Sequence, residues 1–422
     1  EPDEEGYRLA SKDLSAGSFT LTPETKYGIK PLTLTMFGKT VDRKHILAKP
    51  PGHTSWLALL QLLHSLRAAN YLICLGFVLL IAGPLRMTFF PTTHDLLITL
   101  FLVLLCPAFL AMAWRIYMSD LNAALILSAG MLLYFHASAN GNAKAAAWSG
   151  MLIGVSVYFR YSSILGLAAI GLWEIVKNFT IIWTWVLSKI PEPFFLLRRS
   201  EALWRPGRPE QPRTECSRCR MHRQTLAAGR KVRESPFFFI LCCFTACFLA
   251  LIPLLCYHWH FFGHLLHTGY ARNLHLSTGR PYFGWDRAVF SLKAMLQNLA
   301  SVPQLVLTGF PFFWLLPACI TAFSGDSRGL RSFLWIWISV FSALYLAWGV
   351  HLPHSFVFSS RKFLPVLFPA ALLCSRILAG KKPALAYSLL TAVTATAVIV
   401  FRDFLVHVAF NESFWRTVSS KP

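Results

Sequence analysis

The chain has 422 residues, 55% of them apolar and only 14% charged, with a mean hydropathy of +0.50. A soluble domain carries closer to ~25% charged residues, so a water-soluble globule is excluded and membrane-spanning helices are expected. The formal charge of +21 does not indicate a nucleic-acid partner: eleven Lys/Arg face three Glu between Arg198 and Arg233, and the rest of the excess lies in short loops, the pattern of cytoplasmic loops on anionic headgroups.

Residues 1–66 are polar to mildly apolar and read as a first external loop with juxtamembrane helices. No basic-then-apolar leader opens the chain. Asp3, Glu4 and Glu5 are followed by Tyr7 and a weakly helical stretch to Gly17. Acidic groups beside a membrane can act as general base or metal ligand, or can simply be solvated. Lys49 precedes Pro50-Pro51-Gly52, His53 and Trp56. The prolines fix an extended entry to a helix start, where a lysine can bind a phosphate or only snorkel.

Apolar runs follow at 70–86, 95–114, 121–137, 143–159, 162–176, 236–258, 302–322, 332–350, 363–379 and 383–401. Backbone in lipid must bond within its own segment, so each run is read as a helix. The expected fold is an all-α polytopic membrane protein with about ten spans. The run 178–196 holds Trp183, Trp185, Lys189 and Pro191 and reads as an interfacial helix. Residues 67–196 then form an N-terminal bundle, 197–235 a basic cytoplasmic loop, and 236–422 C-terminal spans with external loops at 259–301 and 351–362. Within the basic loop, Cys216-x-x-Cys219-x-x-His222 supplies half of a zinc site, and a full site needs four ligands. The ten cysteines are mostly scattered within apolar runs and make no disulfide framework.

Asp120 lies between two apolar runs, where a carboxylate can cap the next helix or serve chemistry. Arg160 and Tyr161 stand at a span boundary and read as anchors. Residues 257–287 hold His258, His260, His264, His267 and His275 with Arg272, Arg280 and Arg287, a loop suited to a phosphate and a sugar. His351, His354, Arg361 and Lys362 precede another run; an arginine there can bind phosphate bidentately or anchor the helix. Loop charge and parity place residues 1–66, the 115–120 turn, 259–301 and 351–362 on one membrane side, opposite the basic loop.

The order Glu1-Pro-Asp3-Glu4-x-x-Tyr7, then Lys49-Pro50-Pro51 leading to Trp56, then Ser119-Asp120, then Arg361-Lys-Phe-Leu-Pro365-Val-Leu-Phe-Pro369, resembles the GT-C type membrane glycosyltransferases. It is similar to the protein O-mannosyltransferase-like and lipid A aminoarabinose transferase-like enzymes (family 39-like). Against that pattern the first span is missing, Lys362 stands for the usual Tyr, His53 stands for an aliphatic residue, and the 197–235 insertion is long.

The resemblance implies a GT-C-like transmembrane bundle and an inverting transfer of sugar from a polyprenyl-phosphate donor, such as dolichyl phosphate, to a protein, lipid or glycan acceptor. It implies Asp3, Glu4 and Asp120 as catalytic carboxylates, and Lys49, Arg361, Arg280 and Arg272 as donor-phosphate ligands. Tyr7, His53 and His267 would bind substrate, and a divalent metal, if used, would sit on Asp3 and Asp120. The membrane would be the bacterial inner membrane or the endoplasmic reticulum. A transporter and a non-catalytic scaffold of the same fold are the alternatives. The transporter is disfavoured because the ionisable residues sit at span ends and no repeat is evident.

Overall fold

Apolar runs without interior breakers become helices, and proline decides where they end or bend. In a computed structural model of the chain, the described residues are 2–20, 37–39, 45–189, 236–266, 291–321, 328–347, 361–379, 386–396, 398–399 and 402. The helices are α1 (Pro2–Ser15), α2 (Pro51–Leu62), α3 (Ala69–Ala82), α4 (Thr93–Leu104), α5 (Pro107–Trp114), α6 (Ser119–Asn140) and α7 (Ala143–Phe159). They continue with α8 (Leu165–Lys189), α9 (Pro236–Phe262), α10 (Leu292–Gly309), α11 (Leu316–Thr321), α12 (Arg328–Ala347) and α13 (Leu364–Ala379). A short antiparallel hairpin pairs β1 (Phe37–Lys39) with β2 (His45–Leu47), Gly38 opposite Ile46.

The chain is an all-helical membrane protein in character, but the expected count of about ten spans is not met among the described residues. Four helices are long and apolar enough to cross a bilayer: Ser119–Asn140, Phe238–Phe262, Gly329–Ala347 and Arg361–Ala379. Two bent pairs raise this to six. The expected span 95–114 is α4 and α5, bent by 62° where Pro107 cannot continue the hydrogen-bond ladder. The expected span 302–322 begins earlier, at Leu292, and turns by 105° around Phe310, which Pro311 drives out of helical conformation. Residues 259–262 and 292–301 of the expected external loop are helical, as the end of α9 and the start of α10. Runs 70–86 and 143–159 became helices of 14 and 17 residues, short of the ~20 a straight span needs. The separate interfacial helix at 178–196 is also corrected. No proline or glycine lies between Leu172 and Lys189, and α8 runs unbroken from Leu165 to Lys189. The cytoplasmic loop 197–235 and its Cys216–Cys219–His222 half-site lie outside the described residues.

Burial separates the centre from the rim. In the helix Arg361–Ala379, 89% of residues are buried, against 28% of the span in Phe238–Phe262, so α13 is the axis and α9 the perimeter. Phe368 of α13 meets Phe77 of α3 edge-on at 5.0 Å, and Trp337 of α12 is fully buried beside Phe333. On the rim, Leu75, Leu79, Leu241, Phe248 and Leu249 are more than half exposed. Such faces suit hydrocarbon, since apolar surface is driven out of water at about 25 cal/mol per Å².

The closest helix pair is α7 on α9. Gly150 and Gly154, four apart, lie on one face of α7; a Cβ at Gly150 would collide with the backbone of Cys243, and one at Gly154 would lie 2.6 Å from Ala250 Cβ. In lipid, where apolar burial gives no drive, small residues that let backbones approach supply the association through dispersion. Tyr158 extends the contact. Its hydroxyl donates to the Ala250 carbonyl at 2.8 Å and accepts the Leu254 N–H at 2.9 Å, bridging the ladder of α9 beside Pro253.

Outside the bundle, α1, β2 and α2 share a small core of Tyr7, Leu9, Leu47, Leu57 and Leu60. Proline at the first positions of α2 presets its helical φ and loses no needed N–H. Gly52 is required for a different reason: a Cβ there would lie 2.5 Å from Tyr158 Cβ, so α2 seats directly on the last turn of α7.

Candidate functional site

The ends of α6 and α7 define the site. These helices form an antiparallel pair, with Gly141 turning between them at φ 66°, so the start of α6 and the end of α7 share one membrane face. Asp120 is at the second position of α6, with Met118 as N-cap. The expected capping role is thus corrected, although a carboxylate in a first helical turn still favours the helix dipole. Arg160, directly after α7, forms an ion pair with Asp120. It is therefore not the interfacial anchor its position suggested. The Arg160 guanidinium also lies over the Tyr345 ring at 5.8 Å, and Ser162 Oγ is 2.8 Å from Tyr345 Oη.

Arg361 and Lys362, in the turn leading into α13, complete this half of the site. Both are buried, at 8% and 3% exposure, and are not snorkelling anchors. The Arg361 guanidinium donates to Met118 Sδ at 3.6 Å, and Lys362 lies within electrostatic range of Arg160 and Arg361. Basic side chains from the end of α7 and the start of α13 therefore gather beside the start of α6. A guanidinium so placed can meet an anionic group bidentately.

A second half is built by the N-terminal layer. Tyr7 donates its hydroxyl proton to Ser119 Oγ at 3.1 Å, tying α1 to the residue beside Asp120. Lys49 Nζ lies 5.2 Å from the centre of the Tyr7 ring. His53 meets Tyr7 edge-on at 4.9 Å and Phe159 at 6.0 Å, which places it under the residue preceding Arg160. Its ring is fully buried and packs against Tyr7. Burial pushes the His53 pKa down to about 3; backbone groups of Ile116 and Tyr117 favour the charged ring without offsetting this, and Lys49 adds to the depression. Beside Lys49 lies a shallow cleft of about 10 Å³, walled by Leu14, Phe19, Ile46, Thr54 and Tyr257.

Tyr7, Lys49, His53, Asp120 and Arg361, spread over 355 positions (361 − 7 + 1) of the sequence, thus come together at one end of the bundle. Asp3 and Glu4 occupy the first turn of α1, Asp3 one helical turn ahead of Tyr7. Glu5 is engaged by Arg8, whose Nη2 donates at 2.6 Å. His267, Arg272 and Arg280 lie outside the described residues. Asp120, one of the two carboxylates a divalent metal would use, pairs with Arg160, and no group of three His, Cys, Asp or Glu side chains that could hold a metal ion occurs among the described residues.

Sequence reasoning read Arg160 as an anchor, named Lys362 and His258 only within basic stretches, and gave Ser119 and Tyr345 no role of their own. For Arg160 a signal was present: it lies 19 residues after Gly141 and Asp120 lies 21 before it, so a tight hairpin brings them level. A second buried network occupies the far end of α6. There Glu174 accepts from Tyr134 at 3.1 Å and Ser138 at 3.3 Å and pairs with Lys177 at 3.4 Å. Every partner is a neighbour on α6 or α8, so it joins the two helices.

The fold and site together define an all-helical membrane protein with a buried, cation-rich polar cluster at one end of its bundle. No protein-family model matches the chain, and no curated protein or solved structure does either.

Proposed function

We propose that the protein is an inverting glycosyltransferase that moves a sugar from a polyprenyl-phosphate donor to a hydroxyl-bearing acceptor at the membrane surface. The observation that supports this reading is the gathering of Arg160, Arg361 and Lys362 beside Asp120 at the start of α6. A leaving lipid phosphate develops negative charge, and preorganised cations in a water-poor site stabilise it. Lys49, at the entry to α2, suits the same phosphate as a point charge. Asp3, one turn before Tyr7, is the carboxylate assigned to the acceptor. Asp120 holds Arg160 in place. The donor sugar and the acceptor follow from pocket shape and are not assigned.

The test supplies the full chain in lipid with radiolabelled polyprenyl-phosphate sugars. Wild type transfers label, and Asp3→Asn loses transfer by about 100-fold or more, because a misplaced acceptor hydroxyl no longer meets the anomeric carbon. Lys49→Ala weakens donor use more than Lys49→Arg, because a point charge is what the phosphate requires. Equal transfer by Asp3→Asn removes Asp3 from its role, and absence of turnover with every donor favours a scaffold.

A further inference from the structure

A proton acceptor in an active site needs a base, a group fixing its tautomer, and a donor within hydrogen-bond reach. His258, near the end of α9, meets these conditions outside the charged cluster. It is 4% exposed. Its Nδ1 lies 3.1 Å from the Leu265 carbonyl, which can only accept, so Nδ1 carries the ring proton and Nε2 presents a lone pair. Tyr161 Oη is 2.9 Å from Nε2, so the phenol donates there. A phenol that donates its proton can still accept one at its oxygen.

The fold places this pair beside the site. Tyr161 directly follows Arg160, the partner of Asp120, and precedes Ser162, which bonds Tyr345. On the other side, Tyr158 holds the Pro253 break in α9, one turn before His258. Among the described residues, Tyr161 from the turn after α7 faces His258, and Tyr257, His260 and His264 are its neighbours on or just after its own helix. Among the described residues no ion pair reaches it.

We infer that Tyr161 and His258 form the proton-accepting pair of the transfer reaction, an assignment that rests on the transferase reading. The acceptor oxygen attacks the anomeric carbon as the bond from that carbon to the phosphate oxygen breaks, its electron pair leaving with the phosphate. The acceptor's hydroxyl proton passes to Tyr161 Oη while the phenol proton passes to His258 Nε2. The resulting imidazolium is held by the Leu265 carbonyl and returns its proton through Tyr161 to water after product release. Tyr161 is the catalytic residue, His258 acts through it, and Asp3 then holds the acceptor instead of taking its proton.

The test measures kcat and donor KM from pH 5 to 9 for the full chain in lipid, with a radiolabelled polyprenyl-phosphate sugar. Wild type loses kcat as His258 protonates at acid pH. His258→Gln keeps an acceptor for Tyr161 but cannot take a proton, so its kcat falls about 100-fold or more, its acid limb disappears, and its donor KM stays within about twofold. Tyr161→Phe removes one oxygen and gives the same pattern, which guards against a folding defect in the histidine variant. If either variant keeps kcat within about threefold of wild type with the acid limb intact, this pair is not the acceptor while the transferase reading stands. Absence of turnover by wild type overturns both.

Discussion

At the scale of single residues, His53 and Asp120 show how burial converts a side chain's chemistry into stability. The folded His53 pKa, lowered to about 3 mainly by burial, lies below the value of 6.5 it has when unfolded. The unfolded chain therefore binds a proton that the folded chain refuses. The stability from the neutral ring is complete above pH 6.5 and is lost as pH falls toward 3, by about 1.4 kcal/mol per pH unit. Melting followed in detergent between pH 7 and 5 is expected to show this slope, and His53→Gln to flatten it; an unchanged slope in the variant would place the acid sensitivity elsewhere. Asp120 has a different task, pairing with Arg160. Asp120→Asn breaks a largely buried pair and should cost about 3 kcal/mol, and adding Arg160→Gln should restore part of that loss. If the double variant is no more stable than the single one, the loss does not come from this pair.

Among elements, the pairing of α7 with α9 decides the most. Gly150→Ala forces a methyl into the Cys243 backbone, an overpacking expected to cost about 1–3 kcal/mol in detergent unfolding. Gly171→Ala, where nothing lies within 4 Å of the added carbon, is expected to be near neutral and serves as its control. The Gly150-x-x-x-Gly154 spacing was legible as a small-residue stripe, but its partner helix was not, because hydropathy treats every apolar face alike. The elements misread from sequence are explained similarly. Run lengths cannot reveal that Pro107 and Pro311 turn expected spans into bent pairs, or that α8 continues past the Trp-rich stretch. The helices α1 and α2 were legible from the Gly17 stop and the double proline. The hairpin between them was not, since its three-residue strands carry no periodicity.

Over the whole molecule, the legible part of the site was the set of polar residues set between apolar runs. Tyr7, Lys49, Asp120 and Arg361 stood out because a membrane chain tolerates few such groups. Arg160, Lys362 and the Tyr161–His258 pair were hidden because basic and aromatic residues at helix ends are ordinary anchors, and only packing distinguishes the two. The 22 residues of α6 rise about 33 Å, long enough for its two ends to reach opposite faces of a bilayer. Cysteines placed at His64, near the site, and at Asn142, in the far turn, should react with an impermeant thiol reagent from opposite sides of sealed vesicles. Labelling of both from one side would contradict a spanning α6.

The claim on which the account turns is that the charges meeting at the start of α6 and α13 form one phosphate-binding cluster. Equilibrium binding of a radiolabelled polyprenyl phosphate to the full chain in lipid tests it without requiring turnover. Arg361→Gln should weaken binding by about 30-fold or more, the equivalent of about 2 kcal/mol, while Arg376→Gln, farther along the same helix, should bind as wild type does. Equal binding by wild type and Arg361→Gln would contradict it.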